Sequence, residues 1–147
     1  MGSFNKVTIE DLDVAGKRVL VRCDFNVKIE NGVITSDKRV VAALPTIRYL
    51  IDNKAKVILC SHLGRPKGQF DPAFSMKIVA ECLEKHLGQP VKLAEDVVGD
   101  SARTLANELK SGEVMLLENV RFEPGETKND VDLSRKFASL ADIFFEP

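Results

Sequence analysis

Side chains that can bind an anion follow three apolar segments of the chain, and one more lies near the start of a helical pattern. The set comprises Arg22, Asp24, Asn26, Arg39, His62, Arg65 and Arg121. An arginine guanidinium presents a planar fork of donors that suits carboxylate and phosphate oxygens. A carboxylate such as Asp24 accepts a hydrogen bond from a hydroxyl group instead. A small phosphorylated hydroxy acid therefore has the groups that this set could bind.

Short apolar runs alternate with segments of helical period, and these elements must position the anion-binding residues. Strand character is found in 18–27, 56–61, 113–119 and 141–145, and more weakly in 90–94. Helical period is found in 37–53, with Pro45 expected to kink or restart the helix, and in 75–88, 100–112 and 131–141. This alternation predicts an α/β fold: a doubly wound parallel sheet with helices on both faces. Ligands of such sheets bind at the carboxyl ends of the strands, where the candidate residues fall.

Composition narrows the class of protein. The 147 residues are 44% hydrophobic, which suits one globular domain. Twenty-one basic and 22 acidic residues give a net charge of -1, so we expect neither a nucleic-acid nor a membrane partner. The chain lacks a membrane-span pattern and a secretion signal, which predicts a cytoplasmic protein. The three cysteines are expected to be reduced, buried and inert.

Simpler interpretations of the same residues stay open. A single arginine after a strand is usually a surface residue, and Asp24 could simply pair with Arg22 or Arg39. Because His86 is the only other histidine and lies in a helical segment, we predict no metal site. No phosphate-binding glycine loop or serine elbow is present. The residues alone therefore predict a site for a small anion but do not identify the reaction.

Four motifs resemble those of phosphoglycerate kinase, specifically its N-terminal domain: "RCDFNV", "ALPTIRYLI", "SHLGRPKG" and "LLENVRFEPGETKND". The resemblance runs from about Val7 to Ile143. It implies a two-domain kinase that transfers a phosphoryl group between 1,3-bisphosphoglycerate and ADP, giving 3-phosphoglycerate and ATP. Residues 1–147 would be an incomplete N-terminal, substrate-binding domain, without the nucleotide-binding domain.

The resemblance also implies roles for the candidate residues. Arg22 would line the substrate site, Asp24 and Asn26 would receive the glycerate end, and Arg39 would stabilise charge on the phosphoryl group as the catalytic residue. The phosphate that is not transferred would be bound by His62, Arg65 and Arg121. Mg2+ accompanies ATP or ADP in the full-length family, whereas this chain would bind no cofactor.

The sequence departs from the family pattern at two places. Lys28 replaces the usual proline, a change that we expect to be harmless, and "ADIFFEP" ends the chain where the family continues. We therefore expect binding of 3-phosphoglycerate or 1,3-bisphosphoglycerate without turnover by this chain alone. The alternative is a non-catalytic folding or assembly fragment that self-associates through an open sheet edge, although the full-length family is usually monomeric. An unrelated sugar-phosphate-binding α/β domain is excluded only by the motifs.

Overall fold

A computed structural model describes residues 13–63, 75–120 and 131–145 of the chain. Within these residues there are seven strands and four helices. The strands are β1 (Arg18–Arg22), β2 (Lys28–Glu30), β3 (Val33–Ser36), β4 (Lys56–Cys60), β5 (Val91–Leu93), β6 (Val114–Leu116) and β7 (Ile143–Phe145). The helices are α1 (Lys38–Asp52), α2 (Lys77–Leu87), α3 (Asp100–Glu108) and α4 (Val131–Ala138).

Five of the strands form one parallel sheet in the order β5-β6-β4-β1-β7. Alternate residues of each central strand enter two separate apolar clusters. Val57 and Leu59 of β4 pack into the cluster that includes residues of α1 and α2, whereas Ile58 packs into the one that includes residues of α3. The sheet is thus covered on both faces, as the near-continuous apolar character of its strands predicts. The predicted fold class, a doubly wound α/β sheet, is confirmed.

The register of the parallel strands brings their carboxyl ends to one edge. Arg22 at the end of β1 is opposite Cys60 at the end of β4. Leu59 of β4 is opposite Leu116 at the end of β6. Residues that directly follow these three strands are consequently neighbours in space, although they are far apart along the chain.

The first predicted strand is too long. It ends at Arg22, and the chain then forms the antiparallel hairpin β2-β3 in place of a loop. Asn31 and Gly32 connect the hairpin with positive φ angles of 52° and 75°. An Asn-Gly pair favours such a two-residue turn because both residues tolerate the left-handed region. The hairpin therefore had a sequence signal that the strand interpretation overlooked.

Helix α1 remains one helix, with Pro45 inside it, and does not restart there. Its buried face is formed by Val40, Leu44, Ile47 and Leu50. Over residues 13–63, 75–120 and 131–145, no helix has both the length and the apolar character that crossing a bilayer requires.

Candidate anion-binding site

Four of the predicted site residues line one cavity at the carboxyl edge of the sheet. The cavity has a volume of about 430 Å³ and is lined by Arg22, Asp24, Arg39 and His62, together with Val21, Cys23, Ala42, Ala43 and Thr46. Arg22 ends β1, His62 follows β4 by two residues, and Arg39 lies in the first turn of α1. The cavity therefore joins two strand ends to a helix N-terminus, where backbone N–H groups also favour an anion.

Asp24 and Arg39 form an ion pair at this cavity. Nη1 of Arg39 lies 3.1 Å from Oδ1 of Asp24, and the two side chains are 53% and 64% exposed. The same Oδ1 accepts a hydrogen bond from the backbone N–H of Asn26 at 3.2 Å. Of the two partners that the sequence left open for Asp24, Arg39 is the one in this ion pair. The guanidinium thus has a partner at the cavity while more than half of the Arg39 side chain remains exposed.

Asn26 lies in an adjoining cavity of about 420 Å³. Arg39 lines both cavities, so the two form neighbouring parts of one charged region. Lys28 and Lys38 line the second cavity as well. Lys28 thus adds positive charge close to Asn26.

The backbone that carries Asp24 is fixed to the neighbouring strand by buried hydrogen bonds. Oγ of Ser61, which is only 1% exposed, accepts the backbone N–H of Phe25 at 2.8 Å. The backbone N–H of Cys23 donates to the carbonyl oxygen of Cys60 at 2.9 Å. Because a buried N–H group needs an acceptor, these bonds hold the turn after β1 against the end of β4. Sequence reasoning read Ser61 only as the end of a strand.

Two buried polar residues after β6 hold the chain on either side of residues 64–74. The side-chain oxygens of Glu118 accept from the backbone N–H of Met76 at 2.6 Å and from the hydroxyl of Ser75 at 2.7 Å. Nδ2 of Asn119 donates to the carbonyl oxygen of Leu63 at 2.7 Å. Glu118 is 4% exposed and Asn119 is fully buried. Sequence reasoning overlooked both residues, although two polar residues so soon after a buried strand indicated that their side chains have partners.

Thr46 is a further cavity residue that sequence reasoning missed. It follows Arg39 by seven positions on α1, and Ala42 and Ala43 follow Arg39 by three and four. Residues at these spacings lie on one side of a helix, so the position of Arg39 was enough to find the others. The small side chains leave the space that a ligand needs.

Arg65 and Arg121, the other two predicted site residues, lie outside the described residues. Their expected part in binding a phosphate group stays a prediction.

The cysteines of the chain are free thiols. Cys60 is buried as predicted, whereas Cys23 and Cys82 are only half-buried. Burial, with smaller contributions from the neighbouring Cys60 and Asp24, raises the pKa of the Cys23 thiol far above its usual value. Since the thiolate is the reactive form of cysteine, Cys23 lines the cavity as a weakly reactive thiol.

Comparison with known families gives a match over nearly the whole chain. The family model described as phosphoglycerate kinase matches residues 9–146. A phosphoglycerate kinase of Clostridium perfringens is 54% identical over 144 residues, which cover 97% of this chain and 36% of the relative. One of Fervidobacterium nodosum is 54% identical over 140 residues, covering 95% of this chain and 35% of the relative. The chain thus spans about a third of the length of the relatives that it matches.

Solved structures give the same result. The phosphoglycerate kinase from Coxiella burnetii superposes with a TM-score of 0.85 at 40% identity, covering 95% of this chain and 34% of that one. The phosphoglycerate kinase from Pyrococcus horikoshii superposes with a TM-score of 0.84 at 37% identity, covering 94% of this chain and 35% of that one.

Proposed function

Because this chain belongs to the phosphoglycerate kinase family, we propose that it is the N-terminal, 3-phosphoglycerate-binding part of a phosphotransferase. The whole protein would transfer a phosphoryl group between 1,3-bisphosphoglycerate and ADP. This chain alone would bind the three-carbon substrate without turning it over. We also propose a cytoplasmic location, as predicted from the sequence.

The observation that carries the proposal is the cavity at the sheet edge, where the Arg39–Asp24 ion pair lies beside Arg22 and His62. A site for phosphate alone would consist of positive groups. A carboxylate held among them suits a ligand that carries a hydroxyl group as well as its anionic groups. Phosphoglycerate has a phosphate, a hydroxyl and a carboxylate, which are the three groups that this mixture can bind.

The proposed roles follow from the chemistry of each side chain. Asp24 would accept the substrate hydroxyl, and Asn26 would donate to a carboxyl oxygen through its amide. His62, with Arg65 and Arg121, would bind the phosphate that is not transferred. Arg39 would neutralise negative charge near the group in transfer, since phosphoryl transfer depends on positioning and on charge stabilisation. We accordingly propose Arg39 as the catalytic residue.

The described residues of the cavity do not fit the Mg2+-nucleotide complex that the family uses. Asp24 is the one carboxylate among the described residues that line the 430 Å³ cavity, and it is paired with a guanidinium. Mg2+ requires oxygen ligands and is repelled by an arginine cluster. We propose that the nucleotide and its metal ion would bind to another part of the whole protein.

A titration of the isotopically labelled chain followed by amide NMR shifts tests the proposal. We expect 3-phosphoglycerate to shift the amides of Asp24, Asn26, Arg39 and His62, whereas ATP with Mg2+ should leave them unmoved. Glycerate and inorganic phosphate, tested separately, should bind more weakly because each supplies only part of the recognised groups. A well-dispersed spectrum without shifts would contradict substrate binding, and ATP formation by the pure chain would contradict the absence of turnover.

A second candidate, self-association through the sheet edge, rests on β7. This strand is at one edge of the sheet, and the side chain of Phe144 is 54% exposed. An edge strand offers unpaired backbone groups to a second copy. Light scattering over a range of concentrations measures the molar mass of the particles. A constant mass would mean that the chain does not self-associate, and a mass that rises with concentration would mean that it does. Phe144→Ser should lower that mass only if the edge is the contact.

A further inference from the structure

A second group of chemically reactive side chains lies in a groove between the β2-β3 hairpin and α2. The groove has a volume of about 640 Å³ and shares no lining residue with the 430 Å³ cavity at the sheet edge. In it, the ligand-type atoms of Asp37, Cys82 and His86 all lie within 4.8 Å of one another. A carboxylate, a thiol and an imidazole thus meet at a place for which the substrate-binding proposal has no use.

The secondary structure sets this arrangement. Cys82 and His86 are four residues apart on α2, so their side chains lie on the same side of the helix. Asp37 directly precedes α1 as its N-cap residue. Nε2 of His86 lies 2.8 Å from Oδ2 of Asp37, and the carbonyl oxygen of His86 accepts from Nη2 of Arg48 at 2.6 Å. The three groups are therefore held by two packed helices and do not depend on a surface loop.

We propose that Asp37, Cys82 and His86 bind a Zn2+ ion, with a water molecule or an external ligand in the fourth position. Thiolate, imidazole and carboxylate are the three protein ligand types of zinc, and three protein ligands plus an open position is a common zinc arrangement. Zn2+ binding would release the thiol proton of Cys82 to solvent, because the thiolate is the form that coordinates.

The distances permit such an ion after a small adjustment. Bonds of about 2.0–2.3 Å in a tetrahedron place neighbouring ligand atoms about 3.4–3.6 Å apart. The three ligand atoms lie within 4.8 Å of one another, so any separation near that limit must shorten. The 2.8 Å between Nε2 of His86 and Oδ2 of Asp37 must lengthen. Side-chain rotation can supply this because both side chains are partly exposed, at 31% for His86 and 45% for Asp37.

The charges around the groove give the proposal a further consequence. His86 lies in the last turn of α2, where the carbonyl end of the helix favours a cation. Glu81 also lines the groove, and the negative charge of its carboxylate favours a cation, whereas the positive charge of the Lys85 ammonium opposes one. The Arg48 guanidinium, which donates to the carbonyl oxygen of His86, opposes a cation as well. Lys85 is the opposing charge that lines the groove, and its removal should strengthen binding.

An ordinary ion pair between Asp37 and His86 is the competing explanation, and it gives Cys82 no part. The proposal also departs from the sequence analysis, which predicted no metal site after considering His62 and His86 alone. The two explanations differ in whether Zn2+ binding depends on the thiol, so the test centres on Cys82.

Zn2+ titration of the reduced chain against a chelator of known affinity, without substrate, tests the proposal. We expect one tightly bound Zn2+ per chain. Loss of a residue that only supports a metal ligand lowers affinity ~10–100-fold, so loss of a ligand itself in Cys82→Ser, His86→Gln or Asp37→Asn should lower it at least ~100-fold. His62→Gln and Cys23→Ser are matched controls that should bind as the parent chain does, and Lys85→Gln should bind more tightly. Absent Zn2+ binding, or equal binding by all of these variants, would overturn the proposal.

A spectroscopic measurement keeps the test decisive if a variant fails to fold. Co2+ in place of Zn2+ should give a near-ultraviolet thiolate-to-metal charge-transfer band in the parent chain and in Cys23→Ser, but not in Cys82→Ser. Its absence from the parent chain would overturn the proposal without any variant. Because neither experiment uses phosphoglycerate, failure here is separate from failure of the proposed function.

Discussion

Nη1 of Arg39 lies 3.1 Å from Oδ1 of Asp24, and both side chains remain more than half exposed. An exposed ion pair contributes about 0–1 kcal/mol to folding, so this pair has little value as a stabilising device. It does bring a guanidinium and a carboxylate together among the residues that line the cavity. The relationship therefore matters for ligand binding more than for the fold.

Replacing Arg39 by glutamine should separate binding from stability. We expect affinity for 3-phosphoglycerate to fall at least ~tenfold, because a hydrogen bond to a charged group contributes roughly 1.5–3 kcal/mol. The free energy of unfolding should change by less than ~1 kcal/mol. Calorimetric titration and urea unfolding of the same samples measure the two quantities. Arg103→Gln, an exposed arginine on α3, is the matched control and should change neither. Equal affinity in Arg39→Gln and the parent chain would contradict the proposed role of Arg39.

Replacing Ser61 by alanine should disturb the backbone turn that carries Asp24 and Asn26. The backbone N–H of Phe25 would lose its buried acceptor, which costs roughly 1–3 kcal/mol of unfolding free energy. Because Phe25 lies between Asp24 and Asn26, affinity for 3-phosphoglycerate should fall as well. Denaturant unfolding and ligand titration give both numbers, with the exposed Ser111→Ala as control. Unchanged stability would mean that the Ser61 hydroxyl does not hold this turn.

Replacing Glu118 should test the connection between β6 and the start of α2. Glu118→Ala removes the acceptor of the Met76 and Asn119 N–H groups, and we expect a loss of roughly 3 kcal/mol or more. Glu118→Gln should cost less, because its remaining oxygen can accept both N–H groups while its amide donates to Ser75. Urea unfolding measures the free energy of unfolding of both variants, and Glu95→Ala, a change at an exposed residue, is the control. A larger loss for glutamine than for alanine would contradict this account.

The Cys23 thiol should react slowly in the folded chain. Because burial raises its pKa, the thiolate is scarce near neutral pH, and we expect alkylation at least ~100-fold slower than in the urea-unfolded chain. Mass spectrometry of peptides after timed iodoacetamide treatment measures each cysteine separately. Rapid modification of Cys23 in the native chain would contradict a raised pKa of this thiol.

Asp142 should make stability depend on acid pH. Oδ2 of Asp142 accepts the backbone N–H of Arg18 at 2.9 Å, and this bond, with further help from the Arg18 side chain, lowers the pKa of the carboxyl group. A lowered folded pKa contributes stability that is complete above the ordinary value of about 3.9 and is lost as pH falls below it. Asp142→Asn should therefore flatten the acid limb of the curve of unfolding free energy against pH. An acid limb that is unchanged in this variant would contradict the role of Asp142.

The sheet could be predicted because its signal is local. Runs such as "KVILC" are short, apolar and rich in β-branched residues, and they alternate with helical patterns, which leaves few architectures. The grouping of Arg22, Asp24, Arg39 and His62 followed from the rule that parallel strands share a carboxyl edge. The β2-β3 hairpin was missed because its strands are short and largely exposed, although Asn31-Gly32 gave a turn signal.

The supporting contacts could not be predicted because they depend on tertiary register. Glu118 and Ser75 are 43 residues apart in the sequence, and Asp37 and His86 are 49 apart. No pattern within one segment indicates that such residues meet. The zinc proposal also depends on a tertiary contact. The spacing of Cys82 and His86 indicates that they share one side of a helix, but it does not reveal that Asp37 lies beside them.

The adjacent residues Glu118 and Asn119 bond on both sides of residues 64–74, to Ser75 and Met76 on one side and to Leu63 on the other. One buried pair of residues therefore ties the end of β4 and the start of α2 to the end of β6. A change at either position would move two elements at once, so the spacing of strand and helix at this edge of the sheet is set by two adjacent side chains that do not line the cavity.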